Sequence, residues 1–140
     1  GVSVGVLYVV YGQLSAYSRS ATLSAVSRAA FVGEASGDDF SYSAQGIGDI
    51  SGDGEGDLFV GAYQNSSKAG AAYLFYGPFS GETAAADADA IFTGDAGSTA
   101  GFTVAGGVDV TADDWGDLLV GAPTSSSSDG LVYLIEGTGY

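Results

Sequence analysis

A repeat of about 60 residues constrains the fold of this chain more than any other feature. The stretch 49–57 (DISGDGEGD) returns as 109–117 (DVTADDWGD), and each copy leads directly into a short apolar segment. A second kind of apolar run, with a tyrosine in register and a glycine at its start, occurs three times, at 5–12, 70–77 and 130–137. Short apolar runs bounded by glycines are typical of buried strands. The spacing therefore predicts a modular β architecture built from repeated units.

Four strands are predicted in one complete unit. They cover about 39–45, 57–63, 70–76 and 87–94, with the acidic stretch between the first two. Four strands in roughly 60 residues fit one blade of a β-propeller better than one layer of a solenoid. The predicted fold class is all-β, with blades that are four-stranded antiparallel sheets, and with about two blades plus extra strands.

The repeat also predicts how the chain is divided. Residues 1–34 would hold the trailing strands of a preceding blade, 35–94 a complete blade, and 95–140 the first three strands of a second blade. The connections at 13–30 and 78–88 are predicted to be variable surface segments, the first with room for a helical turn.

Composition excludes several classes of function. The net charge is −14, with 17 acidic residues against three basic ones, which argues against binding nucleic acid through a basic surface. The chain has no His and no Cys, which excludes the usual zinc sites, thiolate chemistry and histidine general bases. No apolar run is long enough to span a membrane. Without an initiating Met or a signal peptide, the chain is expected to be mature or excised from a longer protein.

The two acidic stretches concentrate oxygen ligands, and we call 49–57 the first acidic loop and 109–117 the second. Carboxylates at alternate positions repel one another unless a hard cation lies between them, and calcium accepts six to eight oxygens from a flexible loop. Asp53 and Gly54 alone would suit a plain hairpin turn, but such a turn does not need Asp49 and Asp57. An EF-hand is disfavoured, because strands rather than helices are predicted to flank the loop.

These segments resemble the FG-GAP repeat, the blade motif of integrin α-subunit propellers and of many bacterial surface proteins. The resemblance rests on 40–44, 48–54 and 57–62 in the first copy, and on 101–105 and 117–123 in the second, where the terminal Gly-Ala-Pro is intact. It covers nearly the whole chain, since the N-terminal 34 residues match the trailing strands of a further copy.

The resemblance implies that each acidic loop binds calcium between the first and second strands of its blade. The implied ligands of the first loop are Asp49, Ser51, Asp53, the backbone carbonyl of Glu55, and Asp57; the corresponding residues of the second are Asp109, Thr111, Asp113, Trp115 and Asp117. The second loop departs from the pattern, because Asp114 replaces the glycine and Thr111 the serine. Two Ca²⁺ sites are therefore expected, the first one stronger.

The expected function is an extracellular structural, adhesive or protein-interaction module, without enzymatic activity. The alternative is the propeller portion of a secreted or surface hydrolase or lyase whose catalytic part lies elsewhere. A protein or glycan ligand is expected, its identity open, and two blades imply either self-assembly into a closed propeller or a place in a longer chain. The expected location is extracellular or at the cell surface of a bacterium, and the acidic surface favours a saline setting.

Overall fold

The computed structural model describes residues 4–12, 20–125 and 129–137, and this part of the chain is built mainly from short strands. The strands are β1 (Val6–Val9), β2 (Ala29–Val32), β3 (Ser43–Gly48), β4 (Asp57–Ala62), β5 (Ala71–Phe75), β6 (Gly81–Ala84), β7 (Ala90–Thr93), β8 (Thr103–Val108), β9 (Asp117–Ala122) and β10 (Leu131–Ile135). Single helical turns lie at Leu23–Val26 (α1) and Ala85–Asp87 (3-10). The segment Asn65–Lys68 (α2) is a turn with left-handed backbone, since Ser66 and Ser67 have φ angles of 50° and 59°. No helix among the described residues is long and apolar enough to cross a membrane.

The strands form three sheets. Sheet I has the order β1-β2-β6, sheet II the order β3-β4-β5-β7, and sheet III the order β8-β9-β10. Sheet II is fully antiparallel, and sheet III repeats the pairing of its first three strands, including the register shift near the end of the first strand. The predicted fold class, all-β with partial propeller blades, is confirmed.

The core consists of two apolar layers, one on each face of sheet II. Tyr73 and Phe75 of β5 pack toward sheet I, where the rings of Phe31 and Phe75 are 4.5 Å apart. Ala72 and Leu74 lie on the other face of the same strand and pack toward sheet III. All five residues of β5 are buried, which explains why this strand is apolar throughout instead of alternating.

The first strand of the central blade begins later than predicted. The sequence predicts this strand at about 39–45, but in the structure it is β3, which covers Ser43–Gly48. Asp39 and Ser41 have φ angles of 53° and 67°, so the segment before β3 is a turn in the left-handed region. That turn lets Phe40 enter the core, where it is 3% exposed and packs against Tyr73 at 5.5 Å.

The connection 78–88, predicted to be a variable surface segment, is largely exposed but is also a structural element of sheet I. It contains β6, which pairs in parallel with β2 and so joins sheet I. It also contains Ala85, which is fully buried in the layer between sheets I and II. Of the connection 13–30, α1 provides the helical turn, and 13–19 lie outside the described residues.

Candidate metal centre

The first acidic loop closes on the carboxylate of Asp57, the first residue of β4. Asp57 is 1% exposed, and its Oδ2 accepts hydrogen bonds from the amides of Ile50 at 2.9 Å and Ser51 at 3.0 Å. Its Oδ1 accepts the amide of Gly77 at 3.0 Å. Since Gly77 follows β5, one buried carboxylate fixes the loop to two neighbouring strands of sheet II.

Asp49 organises the exposed half of the same loop. Its Oδ1 accepts the amides of Gly52 at 2.7 Å and Asp53 at 3.1 Å, and the hydroxyl of Ser51 at 3.3 Å. Its Oδ2 accepts the amide of Gly54 at 2.8 Å. These donors, the amide of Gly54 above all, lower the pKa of Asp49 against an opposing effect of burial. The loop therefore folds around an ionised carboxylate.

Asp53 and Glu55 carry the remaining acidic groups of this loop. Oδ1 of Asp53 accepts the amide of Glu55 at 2.8 Å, and both residues are exposed. Their carboxylates therefore face water.

The second acidic loop closes in the same way as the first. Oδ2 of Asp117 accepts the amides of Val110 at 2.8 Å and Thr111 at 3.0 Å, and Oδ1 accepts the amide of Gly137 at 2.9 Å. The amide of Gly137 is the largest of the influences that lower the pKa of Asp117. Asp117 is 1% exposed, like its counterpart Asp57.

Asp109 repeats the role of Asp49. Oδ1 of Asp109 accepts the amides of Ala112 at 2.6 Å and Asp113 at 3.2 Å, and Oδ2 accepts the amide of Asp114 at 2.9 Å. Asp113 accepts the amide of Trp115 at 3.0 Å, as Asp53 accepts that of Glu55. The repeat seen in the sequence therefore extends to the individual backbone amide hydrogen bonds. The hydroxyls differ, because that of Ser51 donates to Asp49 and that of Thr111 to Asp117.

Both loops need left-handed backbone at two positions. Gly54 has φ 90°, and Asp114, which replaces the glycine in the second loop, has φ 73°. The second such position went unrecognised in the sequence. It holds Gly52 (φ 79°) in the first loop and Ala112 (φ 64°) in the second. An alanine there costs about 1 kcal/mol or more.

The described residues contain no group of three or more acidic side chains arranged to hold a metal ion. Asp49 and Asp57 are turned toward loop amides instead of toward a shared point. The donors in both loops are nonetheless all oxygens, the ligand type that calcium requires, and a carboxylate has about four acceptor positions. The oxygen ligands of both loops thus fit calcium. Calcium coordination by these loops stays a prediction.

Trp115, which corresponds to Glu55 of the first loop, is 39% exposed. Its side chain lines a cavity of about 200 Å³ together with Ile50, Tyr76 and Ile135. Trp115 is therefore partly exposed and borders a cavity that Ile50 of the first loop also lines.

A buried polar network between sheets I and II was not predicted from the sequence. The hydroxyl of Tyr73 donates to Glu34 at 2.8 Å and accepts from the side-chain amide of Asn65 at 3.0 Å. Asn65 also donates to Asp38 at 3.2 Å. Burial, and then the bond to Glu34, raise the pKa of Tyr73 far above its usual value. Because Glu34 follows β2, this network ties sheet I to sheet II.

Comparison with known proteins gives one informative similarity. No family model matches the chain. The curated protein integrin alpha pat-2 of Caenorhabditis briggsae is 38% identical over 104 residues, which is 71% of this chain and 8% of the relative. The chain thus spans a small part of that protein. The similarity supports an integrin-α-like module, in agreement with the FG-GAP resemblance, and it lends no support to a bacterial origin.

Proposed function

We propose that this chain is a calcium-binding segment of a β-propeller, acting as an extracellular structural, adhesive or protein-interaction module. The observation that carries the proposal is the repetition of an acidic loop, with the same pattern of backbone amides bonded to equivalent carboxylates, at the same place in two sheets. The similarity to an integrin alpha subunit supports a non-enzymatic, adhesive role at the cell surface.

The ligands of the first site would come from Asp49, Ser51, Asp53, the carbonyl of Glu55, and Asp57. Asp53 and Glu55 are exposed, so they are accessible to a cation from solvent. The ligands of the second site would come from Asp109, Thr111, Asp113, the carbonyl of Trp115, and Asp117.

The metal would supply positive charge in the most acidic part of the molecule. Each loop carries four of the 17 acidic residues, and two calcium ions would change the net charge from −14 to −14 + 4 = −10. Since Asp57 and Asp117 connect each loop to the glycine after the third strand of the sheet, stiffening a loop would also stiffen the end of its blade.

Calorimetric titration of the metal-free protein with calcium tests the proposal. We expect two sites of unequal affinity, the first tighter, with dissociation constants at or below about 1 mM, as for extracellular calcium modules. Calcium should raise the melting temperature, because it binds the folded chain in preference to the unfolded one. Magnesium, which demands a tighter octahedral shell, should bind more weakly.

Two variants assign the sites, and a third controls for charge. Asp53→Ala should abolish calcium binding at the tighter site, and Asp113→Ala should abolish it at the weaker site. Asp129→Asn removes one exposed charge outside both loops and should leave the two transitions in place. Absence of calcium-dependent heat and of any stabilisation would refute the proposal.

A further inference from the structure

Asn65 is the single asparagine of the chain, and it begins the sequence Asn65-Ser66-Ser67. An asparagine followed two positions later by Ser or Thr, with no proline between them, is the acceptor sequence for N-linked glycosylation. Such acceptors lie in surface loops, where the side-chain nitrogen is accessible and the bulky glycan extends into water. The position of that nitrogen in the folded chain therefore decides whether Asn65 can react.

The side-chain nitrogen of Asn65 is fully engaged in the folded chain. Asn65 is 8% exposed, and its Nδ2 donates to the hydroxyl of Tyr73 at 3.0 Å and to Oδ2 of Asp38 at 3.2 Å. A side-chain amide has two hydrogens, so both of its donors are in use. Tyr73 is 1% exposed and donates onward to Glu34. The amide of Asn65 therefore points into the layer between sheets I and II and away from solvent.

The backbone around the acceptor sequence is closed as well. The amide of Gly70 donates to the carbonyl of Asn65 at 2.9 Å, and the amide of Ala69 donates to the carbonyl of Ser66 at 3.3 Å. Ser66 and Ser67 have φ angles of 50° and 59°, in the left-handed region that residues other than glycine rarely adopt. A transferase has to enclose the acceptor residues in its own active site. The turn would therefore have to open before the reaction.

We propose that Asn65 is a conditional glycosylation site, available in the unfolded chain and withdrawn when sheets I and II close on its side chain. The co-substrate is an oligosaccharide carried on a lipid pyrophosphate. The nitrogen of Asn65 bonds to the first carbon of the sugar and loses one proton, while the bond from that carbon to the pyrophosphate oxygen breaks and the lipid pyrophosphate leaves.

Glycosylation and the buried network exclude each other. The modified amide keeps one hydrogen, so it loses its bond either to Tyr73 or to Asp38. A sugar also has no room beside a side chain that is 8% exposed. A glycan attached before folding therefore keeps sheet I from closing on sheet II.

The inference rests on the proposed extracellular location, because this modification occurs on chains that enter a secretory compartment. It does not involve calcium. Asp57 of the first acidic loop begins β4, whereas Asn65 follows the other end of that strand. Failure of calcium binding would leave the accessibility of Asn65 as it is, and a negative glycosylation result would leave the calcium titration as it is.

Glycan transfer to the purified, unmodified chain by an oligosaccharyltransferase with a lipid-linked oligosaccharide tests the inference. Because the chain has one asparagine, a mobility shift that peptide N-glycosidase reverses reports Asn65 alone. A capped peptide of residues 62–70 should be modified readily. The folded chain should react at least about tenfold more slowly, because only chains with an opened turn can react. Ser67→Ala should abolish transfer to both, because it removes the acceptor hydroxyl.

Two variants open the network, and a third is their control. Tyr73→Phe and Asp38→Ala each remove one acceptor of the Asn65 amide. Each should raise the transfer rate by about fivefold or more, because loss of a buried hydrogen bond increases the population of the open turn by roughly that factor. Tyr133→Phe makes the same substitution in sheet III and should leave the rate unchanged. Circular dichroism checks that each variant is folded.

Several results would overturn the proposal. They are transfer to the folded chain as fast as to the peptide, a peptide that is not modified, and rates in Tyr73→Phe and Asp38→Ala equal to that of the parent chain. A last measurement compares stability. The glycosylated chain, refolded from urea, should melt below the unmodified chain, and identical melting temperatures would show that the glycan and the network coexist.

Discussion

Sheets II and III have nearly the same local structure and very different surroundings. Their first three strands pair in the same order, and equivalent carboxylates of their acidic loops accept hydrogen bonds from equivalent backbone amides. Yet β5 is buried over its whole length, whereas Leu131, Val132 and Leu134 of β10 are 43%, 69% and 46% exposed. Among the described residues, sheet II packs against a sheet on each face and sheet III against sheet II alone, which explains the exposure of Val132 and Leu134.

The comparison separates two contributions to the structure. Hydrogen bonds within a loop depend on residues a few positions apart, so the repeat reproduces them in both copies. Burial depends on what lies across the face of a sheet, so equivalent apolar residues contribute unequally to stability. Equivalent substitutions in sheets II and III can therefore measure how much a sheet packed on the second face contributes to stability.

The largest contrast is expected between Leu74→Ala and Leu134→Ala. Leu74 is 4% exposed between sheets II and III, and its truncation should cost about 2–5 kcal/mol in free energy of unfolding. Leu134 is 46% exposed, and the same change should cost less than about 1 kcal/mol. Urea unfolding gives both values. Equal losses would show that a further surface covers β10 in solution.

A smaller contrast is expected between Tyr73→Phe and Tyr133→Phe. Removal of the Tyr73 hydroxyl leaves Glu34 and Asn65 without a shared partner and should cost about 1 kcal/mol or more. In the second copy Ser125 stands in place of Asn65, so Tyr133→Phe should cost less. Thermal unfolding of both variants at pH 7 checks this, and a larger effect at Tyr133 would contradict it.

The loops themselves are compared by exchanging Gly52 and Ala112 for each other's residue type. Gly52→Ala should destabilise by about 1 kcal/mol, because alanine at φ 79° is strained. Ala112→Gly relieves the strain at φ 64° but adds unfolded-state entropy, so a gain of about 0.5 kcal/mol is expected. Opposite signs in urea titrations of the metal-free protein are the test, and equal signs would contradict it.

The smallest expected effect is on the dependence of the melting temperature on acidic pH. The pKa values of Asp49 and Asp117 are lowered in the folded chain by amide donors. Their stabilising contribution is therefore present above the unfolded value of roughly pH 4 and is lost as the pH falls through the folded pKa. Melting temperatures from pH 6 to pH 2.5 should fall less steeply in Asp49→Asn and Asp117→Asn than in the parent chain. Identical slopes would contradict the assignment.

Much of the site could be predicted because its determinants are local. Aspartates four residues apart, at 49, 53 and 57 and again at 109, 113 and 117, located both loops. The glycine at 54 marked a left-handed position. The left-handed backbone at Gly52 could not be predicted, because its counterpart in the second copy is Ala112, and an alanine does not indicate a positive φ angle. The buried role of Asp57 was also hidden, because its third donor, Gly77, lies 20 residues away.

The repeat, the order of most strands and the position of both acidic loops follow from the amino-acid sequence alone, because periodic apolar runs and turn residues act over a few positions. The pairing of β6 with the edge of sheet I, and the burial of Phe31 in contrast to the partial exposure of Phe92, depend on tertiary contacts. Tertiary packing also buries β5 on both faces, whereas no residue of β10 is fully buried. The physical reason is that strand addition and burial depend on which surfaces meet in space, and two apolar runs with the same pattern do not encode their neighbours.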